Sequence, residues 1–191
     1  MLRPWLKAPN DLKQGQNMQI REATLEDLAA ILDIYNEVIA TTTAVYNDDP
    51  LTPGEFAIWF QDRAAAGYPV LLAEDENGRA LGFSSFGDFR ARPGYRFTVE
   101  HSVHLTADAR GQGIGTALVQ ALLPYAQALG KHTILGAVDA DNEGSIRFHE
   151  KLGFVQVGRL PQVGFKFGRW LDLVYLQRFI DETSSGPAPD A

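Results

Sequence analysis

"TVEHSVHLTADARGQGIGTALVQALL", residues 98–123, joins a strand-like alternation to a helical period through three closely spaced glycines. Such glycines occur in dinucleotide fingerprints, in nucleotide P-loops and in other phosphate-gripping turns, so their register matters. A G-x-G-x-x-G pattern begun at Gly111 finds Gly113 but then Thr116; begun at Gly113 it finds Gly115 but then Leu118. Neither register closes, and no Gly-Lys-Ser/Thr follows to make a P-loop. What remains is a strand, the run Arg110, Gly111, Gln112, Gly113, Ile114, Gly115, Thr116, and a helix. Glycine lets a backbone approach a ligand closely and reach positive φ. The first N–H groups of a helix can then converge on an anion, with Arg110 adding a charge-assisted contact. A plain tight turn with a surface arginine fits the same spacing, and both readings stand at this point.

Working outward, "MQIREA" from Met18 reads as a short strand. Thr24 and Asp27 have the spacing of an acidic capping box, followed by a helical stripe of Leu28, Ile31, Leu32, Tyr35 and Ile39. A second helix starts at Thr52 as cap, with Pro53 at its first position, Glu55 at its third, and Phe56, Trp59 and Phe60 as packing face. "YPVLLAED", "ENG" and "RALGFSSFGDF" make a β-hairpin, and "YRFTVEHSVHL" the next strand. After the glycines, Leu118, Leu122, Tyr125 and Leu129 form a buried helical stripe that Pro124 should bend. "HTILGAV" returns to strand, "NEGSIRFHEKLG" is a short helix ended by Gly153, and the residues after it are strand-rich. The pattern predicts a single α/β domain over residues 18–180, a sheet core flanked by helices, with an N-terminal extension at 1–17 and a polar, Pro-rich tail at 181–191.

Composition narrows the function. Seventeen basic and 24 acidic residues leave a formal charge of −7, which weighs against generic nucleic-acid binding. No apolar run approaches the ~20 residues that cross a bilayer, and no export signal follows the N-terminal Arg3 and Lys7. A cytoplasmic protein without membrane partners is expected. There is no cysteine, so neither a thiolate nucleophile nor a sulfur-ligated metal is available. The histidines at 101, 104, 132 and 149 have no zinc spacing, and no metal is expected.

Arg110-Gly-Gln-Gly-Ile-Gly115 resembles the Q/R-x-x-G-x-G/A signature of the GCN5-related N-acetyltransferases. "NEGSIRFHEKLGF" is similar to a later segment of that family, so the resemblance spans residues 18–180. With "YRFTVEHSVHL" and "GFKFGRWLDLVYLQR", the ordered segments resemble the branch of phosphinothricin and methionine sulfoximine or sulfone acetyltransferases. The resemblance implies a mixed, mostly antiparallel sheet with splayed central strands, acetyl-CoA as co-substrate, a small amino-acid acceptor and a homodimer.

It also implies roles. The run from Arg110 to Thr116 would hold the cofactor pyrophosphate, and the backbone of Val103, His104 and Leu105 its pantetheine arm. Strand alternation puts Thr98, Glu100, Ser102 and His104 on one face and Val99, His101, Val103 and Leu105 on the other. Glu100 is either an exposed strand glutamate or a partly desolvated base with a raised pKa. The resemblance places it at the general-base position. His149 stands where many relatives carry a tyrosine, as an acid, a substrate contact or part of a proton route. His104 faces solvent in the simplest reading. Asn142 and Ser145 are helix caps or cofactor contacts, and Phe148 packs with partial cofactor contact. Thr43, Tyr46, Phe86, Phe89, Arg90 and Arg92 are expected to shape an acceptor pocket, an aromatic wall with a guanidinium for a carboxylate. Lys166, Arg169 and Trp170 are expected to support the pocket or a dimer contact. Direct transfer of acetyl to a small primary amine is the leading expectation. Another amine, a protein N-terminus or a non-catalytic acetyl-CoA-binding regulatory module are the alternatives.

Overall fold

A computed structural model gives the structure over residues 18–180; the expected extension 1–17 and tail 181–191 lie outside the described residues. The described residues open with strand β1 (Met18–Glu22) and helix α1 (Leu28–Thr41), entered through a short 3-10 turn. Asp27 closes that turn by accepting from the Thr24 N–H at 2.7 Å, and the Arg21 guanidinium grips both of its carboxylate oxygens. Helix α2 (Pro53–Ala65) starts on a full capping box: Thr52 accepts from the Glu55 N–H while Glu55 accepts from the Thr52 N–H at 2.8 Å.

Strands β2 (Val70–Asp75) and β3 (Ala80–Asp88) form the hairpin, and β4 (Thr98–Leu105) pairs antiparallel with β3 along its whole length. Helix α3 (Ile114–Ala128) crosses over to β5 (Thr133–Asp139), which runs parallel to β4. Helix α4 (Glu143–Lys151) ends at Gly153, whose φ of 82° is the left-handed conformation a helix stop requires. Strands β6 (Val155–Lys166) and β7 (Arg169–Phe179) make a long hairpin. Phe167 and Gly168 both have positive φ at its tip, as a two-residue primed turn demands. The seven strands lie in the order β1-β2-β3-β4-β5-β7-β6, antiparallel except at β4–β5.

Period-2 alternation splits the core between the two sheet faces. Ile31, Leu32, Ile34 and Phe56 of α1 and α2 cover Val70, Leu72 and Phe83 on one face. Leu118, Val119, Leu122, Tyr125 and Ala126 of α3 cover Leu71, Ala73, Phe86, Val99 and Ile134 on the other. The α3 stripe is therefore as expected up to Tyr125, but Leu129 is exposed because it falls at the helix cap beyond the last covered turn. Pro124 sits inside α3, which remains helical through Ala128.

Two features shape the cleft. Only three ladder pairs join β4 to β5, ending at Glu100 and Leu135, although both strands continue. Past that point they diverge while each keeps its outer antiparallel partner. Lys166 is fully buried, and its ammonium donates to the carbonyls of Ile39, Thr42 and Val45 at 2.6, 2.9 and 2.7 Å. All three of its protons are used, so it ties the end of α1 and the following loop to the β6–β7 hairpin.

Candidate active site

The divergence of β4 and β5 opens a cleft of about 490 Å³ lined by residues of both strands, of α1 and α2, and of the loop after α1. Glu100, at the last ladder pair, lines it and is half-buried. Burial pushes its carboxyl above the ordinary range, and the Arg90 charge pulls it back in part. The carboxylate also raises the neighbouring Tyr175 phenol, whose largest perturbation is burial itself. A partly desolvated carboxylate at a fork of free backbone edges is suited to take a proton from an amine.

His149 enters from α4. Asn142 caps that helix by accepting from the Ser145 N–H at 3.0 Å, and the Ser145 carbonyl lies 2.7 Å from His149 Nδ1. A carbonyl only accepts, so Nδ1 carries the proton and the neutral ring presents the Nε2 lone pair. Burial also holds the imidazole below its ordinary pKa. This geometry makes Nε2 a proton acceptor and disfavours an imidazolium that would donate to a leaving thiolate. A Cβ on Gly136 of β5 would meet His149 Nε2 at 2.9 Å and His101 Nε2 at 3.1 Å, so both rings need that glycine. His101 is buried with neither ring nitrogen hydrogen-bonded, its centroid 5.1 Å from that of His149.

The glycine run follows β4 and leads into α3. Gly111 and Gly113 have φ of 75° and 86°, and Gly113 is the cap residue of α3. The Ala117 N–H bonds Gly113, which leaves the amides of Ile114, Gly115 and Thr116 without an intrahelical acceptor. Gly115 is buried between Leu105 and Phe148, each with side-chain atoms 3.5 Å from where its Cβ would stand. Arg110, Gly111, Gln112 and Gly113 are exposed beside them, with Gln112 Nε2 donating to the Asp108 carbonyl at 2.6 Å. Left-handed glycines before a helix of bare amides fit a pyrophosphate group.

Tyr46, Phe89 and Gly87 line the cleft. Tyr46 packs on Gly164, and its hydroxyl donates to the Asp172 carbonyl at 3.3 Å. Thr43 hydrogen-bonds Asp139, a buried carboxylate that lines the cleft. Arg169 stands 3.7 Å from Asp139 and 2.7 Å from Asp141, so it supports this wall. Arg90 lies over the Phe89 ring at 5.0 Å, at the mouth, while Arg92 is exposed and caps the 3-10 turn of the loop.

Some expected placements change. Phe86 is 1% exposed and shares a face with His101 under α3, packed against Tyr68, so it belongs to the core rather than the acceptor wall. Phe83, on the opposite face, takes the wall position. His104 is 7% exposed, not solvent-facing, because α1 covers its face: it packs on Tyr35 and Phe83, both with centroids at 5.3 Å. Asp139 and Arg63 line the cleft with no motif that singles them out in sequence, although Arg63 follows Trp59 by one helical turn.

The chain matches the acetyltransferase (GNAT) family over residues 31–154. It is 47% identical over 168 residues to an L-methionine sulfoximine/L-methionine sulfone acetyltransferase of Pseudomonas aeruginosa, covering 88% of this chain and 98% of that protein. Among solved structures it is similar to the yncA protein of Salmonella typhimurium with its cofactor acetyl-CoA, at TM-score 0.86 and 42% identity, covering 91% and 99% of the two chains. It is also similar to a phosphinothricin acetyltransferase of Sinorhizobium meliloti in complex with acetyl-CoA, at TM-score 0.86 and 37% identity, covering 90% and 94%.

Burial also makes the protein sensitive to acid. Desolvation holds His101 at about 3 and His104 at about 4, against an ordinary 6.5, and lowers His149 in the same direction. As pH falls below 6.5 the unfolded chain takes up these protons first, so stability is full above 6.5 and declines toward 4. Glu100, shifted upward, opposes this as one group against three. Urea unfolding should show a loss of roughly 2–3 kcal/mol between about pH 6.5 and 5, with His104→Phe removing about half of it. A flat profile across that window would contradict the buried neutral histidines.

Proposed function

The chain belongs to the GNAT family of acetyltransferases, and from that premise we propose that it moves acetyl from acetyl-CoA to the α-amine of a small amino acid. Methionine sulfone, methionine sulfoximine and phosphinothricin-like amino acids are the acceptors in view. The carrying observation is the position of Glu100: half-buried at the fork of β4 and β5, in a cleft that Tyr35, Tyr46, Trp59, Phe89 and Arg63 also line.

Acetyl-CoA supplies the acetyl group as a thioester. The amides of Ile114, Gly115 and Thr116, with Arg110 to Gly113, hold its pyrophosphate. The parted edge at Val103, His104 and Leu105 pairs with its extended arm, and Asn142, Ser145 and Phe148 flank the same channel. In the acceptor pocket, Thr43, Tyr46 and Phe89 form the wall and Arg90 and Arg92 stand at the mouth, where they meet the acceptor's oxygens. Phe86 contributes only as core beneath that pocket.

An α-amine is largely protonated at neutral pH and does not attack a carbonyl in that form. Glu100, directly or through a water, takes that proton, and the freed nitrogen lone pair attacks the thioester carbon. Backbone N–H groups at the fork are placed to receive the negative charge that develops on the carbonyl oxygen. His149 accepts a hydrogen bond at Nε2, which suits the acceptor amine or a water in the proton route. The acetyl group passes directly between bound substrates, with which the absence of a cysteine to hold an acyl group agrees.

Acetylation removes the positive charge of the amine, a detoxifying change for a toxic amino acid. The cytoplasm, where acetyl-CoA is made and used, is the compartment this chemistry calls for. A homodimer through β6 is part of the same proposal. This edge strand exposes Val155, Val157, Leu160, Val163 and Phe165, an apolar row that a soluble monomer rarely shows.

CoA release measured over a panel of amino acids, polyamines and N-terminal peptides should be fastest with the methionine derivatives or phosphinothricin. Glu100→Gln should lower kcat by on the order of 10²–10⁴-fold with acetyl-CoA affinity retained. CoA binding without turnover on any amine would sink the enzymatic reading, and unchanged turnover in Glu100→Gln would remove the base. Sedimentation should give twice the monomer mass, reduced to one by Val163→Asp; a monomeric wild type would exclude the dimer.

A further inference from the structure

Arg63 is a cation that the acetyl-transfer scheme leaves unused. It sits in the last turn of α2 and reaches across the cleft wall to β3. A Cβ on Gly87 would collide with it at 2.2 Å from one terminal nitrogen, 2.6 Å from Cζ and 2.7 Å from the other nitrogen. The guanidinium therefore fills the place where residue 87 would carry a side chain. Gly87 stands directly opposite Glu100 in the β3–β4 register. Opposed residues of an antiparallel pair share a face, with Cβ atoms about 4.5–5.5 Å apart. Arg63 thus occupies the slot beside the root of Glu100, on the same side of the sheet.

Among the described residues, this guanidinium has no ion pair. Asp62 and Asp88 attract it only at longer range, and Asp88 is engaged by the Tyr68 hydroxyl and by Lys131 at 3.7 Å. Its Nε is buried without an acceptor, and its largest perturbation is loss of water. Aromatic rings stand beside it: the Trp59 ring lies 5.4 Å from Cζ, and Tyr35 and Phe83 line the same cleft. A desolvated arginine without a carboxylate is costly, and its planar fork matches a carboxylate in two parallel hydrogen bonds.

We propose that Arg63 receives the α-carboxylate of the acceptor amino acid, next to the amine that Glu100 deprotonates. The proposal rests on the amino-acid N-acetyltransferase reading. The amine and the carboxylate of an α-amino acid hang from one carbon, so a receptor for one belongs beside the receptor for the other. Arg63, reaching from α2 over Gly87, and Glu100, opposed to Gly87 on β4, meet that demand. Arg90 and Arg92, on the exposed loop, are left for the side-chain oxygens. A full anion is the partner that suits a half-buried guanidinium with an unpaired Nε, which a neutral sulfone is not. Selection against amines lacking a carboxylate would follow from the same contact.

The test compares methionine sulfone with its α-carboxamide as acceptors for wild type, Arg63→Met and Arg63→Lys. Wild type should favour the acid by on the order of 100-fold in kcat/KM. Arg63→Met should lose most of that preference, chiefly through KM for the acid, while Arg63→Lys retains part of it. Calorimetric acetyl-CoA affinity should be unchanged, which establishes that each variant is folded; if Arg63→Met does not fold, Arg63→Gln takes its place. A folded variant that keeps the wild-type acid-to-amide ratio overturns the assignment. So does one that changes only the ratio of methionine sulfone to methionine. Wild type that acetylates no amino acid removes the functional reading as well, whereas wild type that does so with an unaltered ratio in the variant removes Arg63 alone.

Discussion

Three ladder pairs join β4 to β5, and beyond Glu100 and Leu135 the two strands part. Each remains tied on its outer edge, β4 to β3 through Leu105 and β5 to β7 through Asp139. The inner edges are therefore held rigidly apart, with backbone donors and acceptors facing a cleft. Buried backbone groups need partners, and an extended ligand arm laid between the strands can supply them. The same divergence decides which side chains meet. It brings Glu100 from one strand and Gly136 from the other to the vertex, and α4 places His149 over that glycine.

The chemistry at the vertex depends on water being scarce. Burial raises the Glu100 carboxyl, against a partial pull from Arg90, and lowers the three imidazoles, which keeps those rings neutral. His149 is held in one tautomer by a short chain of contacts, from the Asn142 cap to the Ser145 carbonyl to Nδ1. Its orientation is a consequence of how α4 begins. The pocket wall is fixed from further away, since Lys166 holds the loop of Thr43 and Tyr46 by three carbonyls.

Local signals in the sequence were well matched by the fold. The capping residues Thr24 and Thr52, the period-2 strands and the glycine run all act over a few residues, and each stands where its spacing predicts. Alternation also assigned the faces of β4 correctly, but not what covers them. His104 is buried because α1 lies over its face, and Phe86 is core because α3 lies over the other. Arg63 and Asp139 were not legible, and the carbonyls that Lys166 meets as pocket support were not either, because these surroundings are assembled from distant segments. Lys166 meets carbonyls more than a hundred residues away, and Arg63 of α2 takes its place over a glycine of β3. The absent side chain at Gly87 carries as much information as the arginine itself.

The proposed transfer across the open fork of β4 and β5 needs donor and acceptor bound together before acetyl moves. Initial rates measured over acetyl-CoA concentration at several fixed concentrations of methionine sulfone test this directly. Reciprocal plots that intersect are the predicted result, the signature of a ternary complex. Parallel lines would report an acetylated enzyme that forms before the acceptor binds, and would contradict transfer across the cleft.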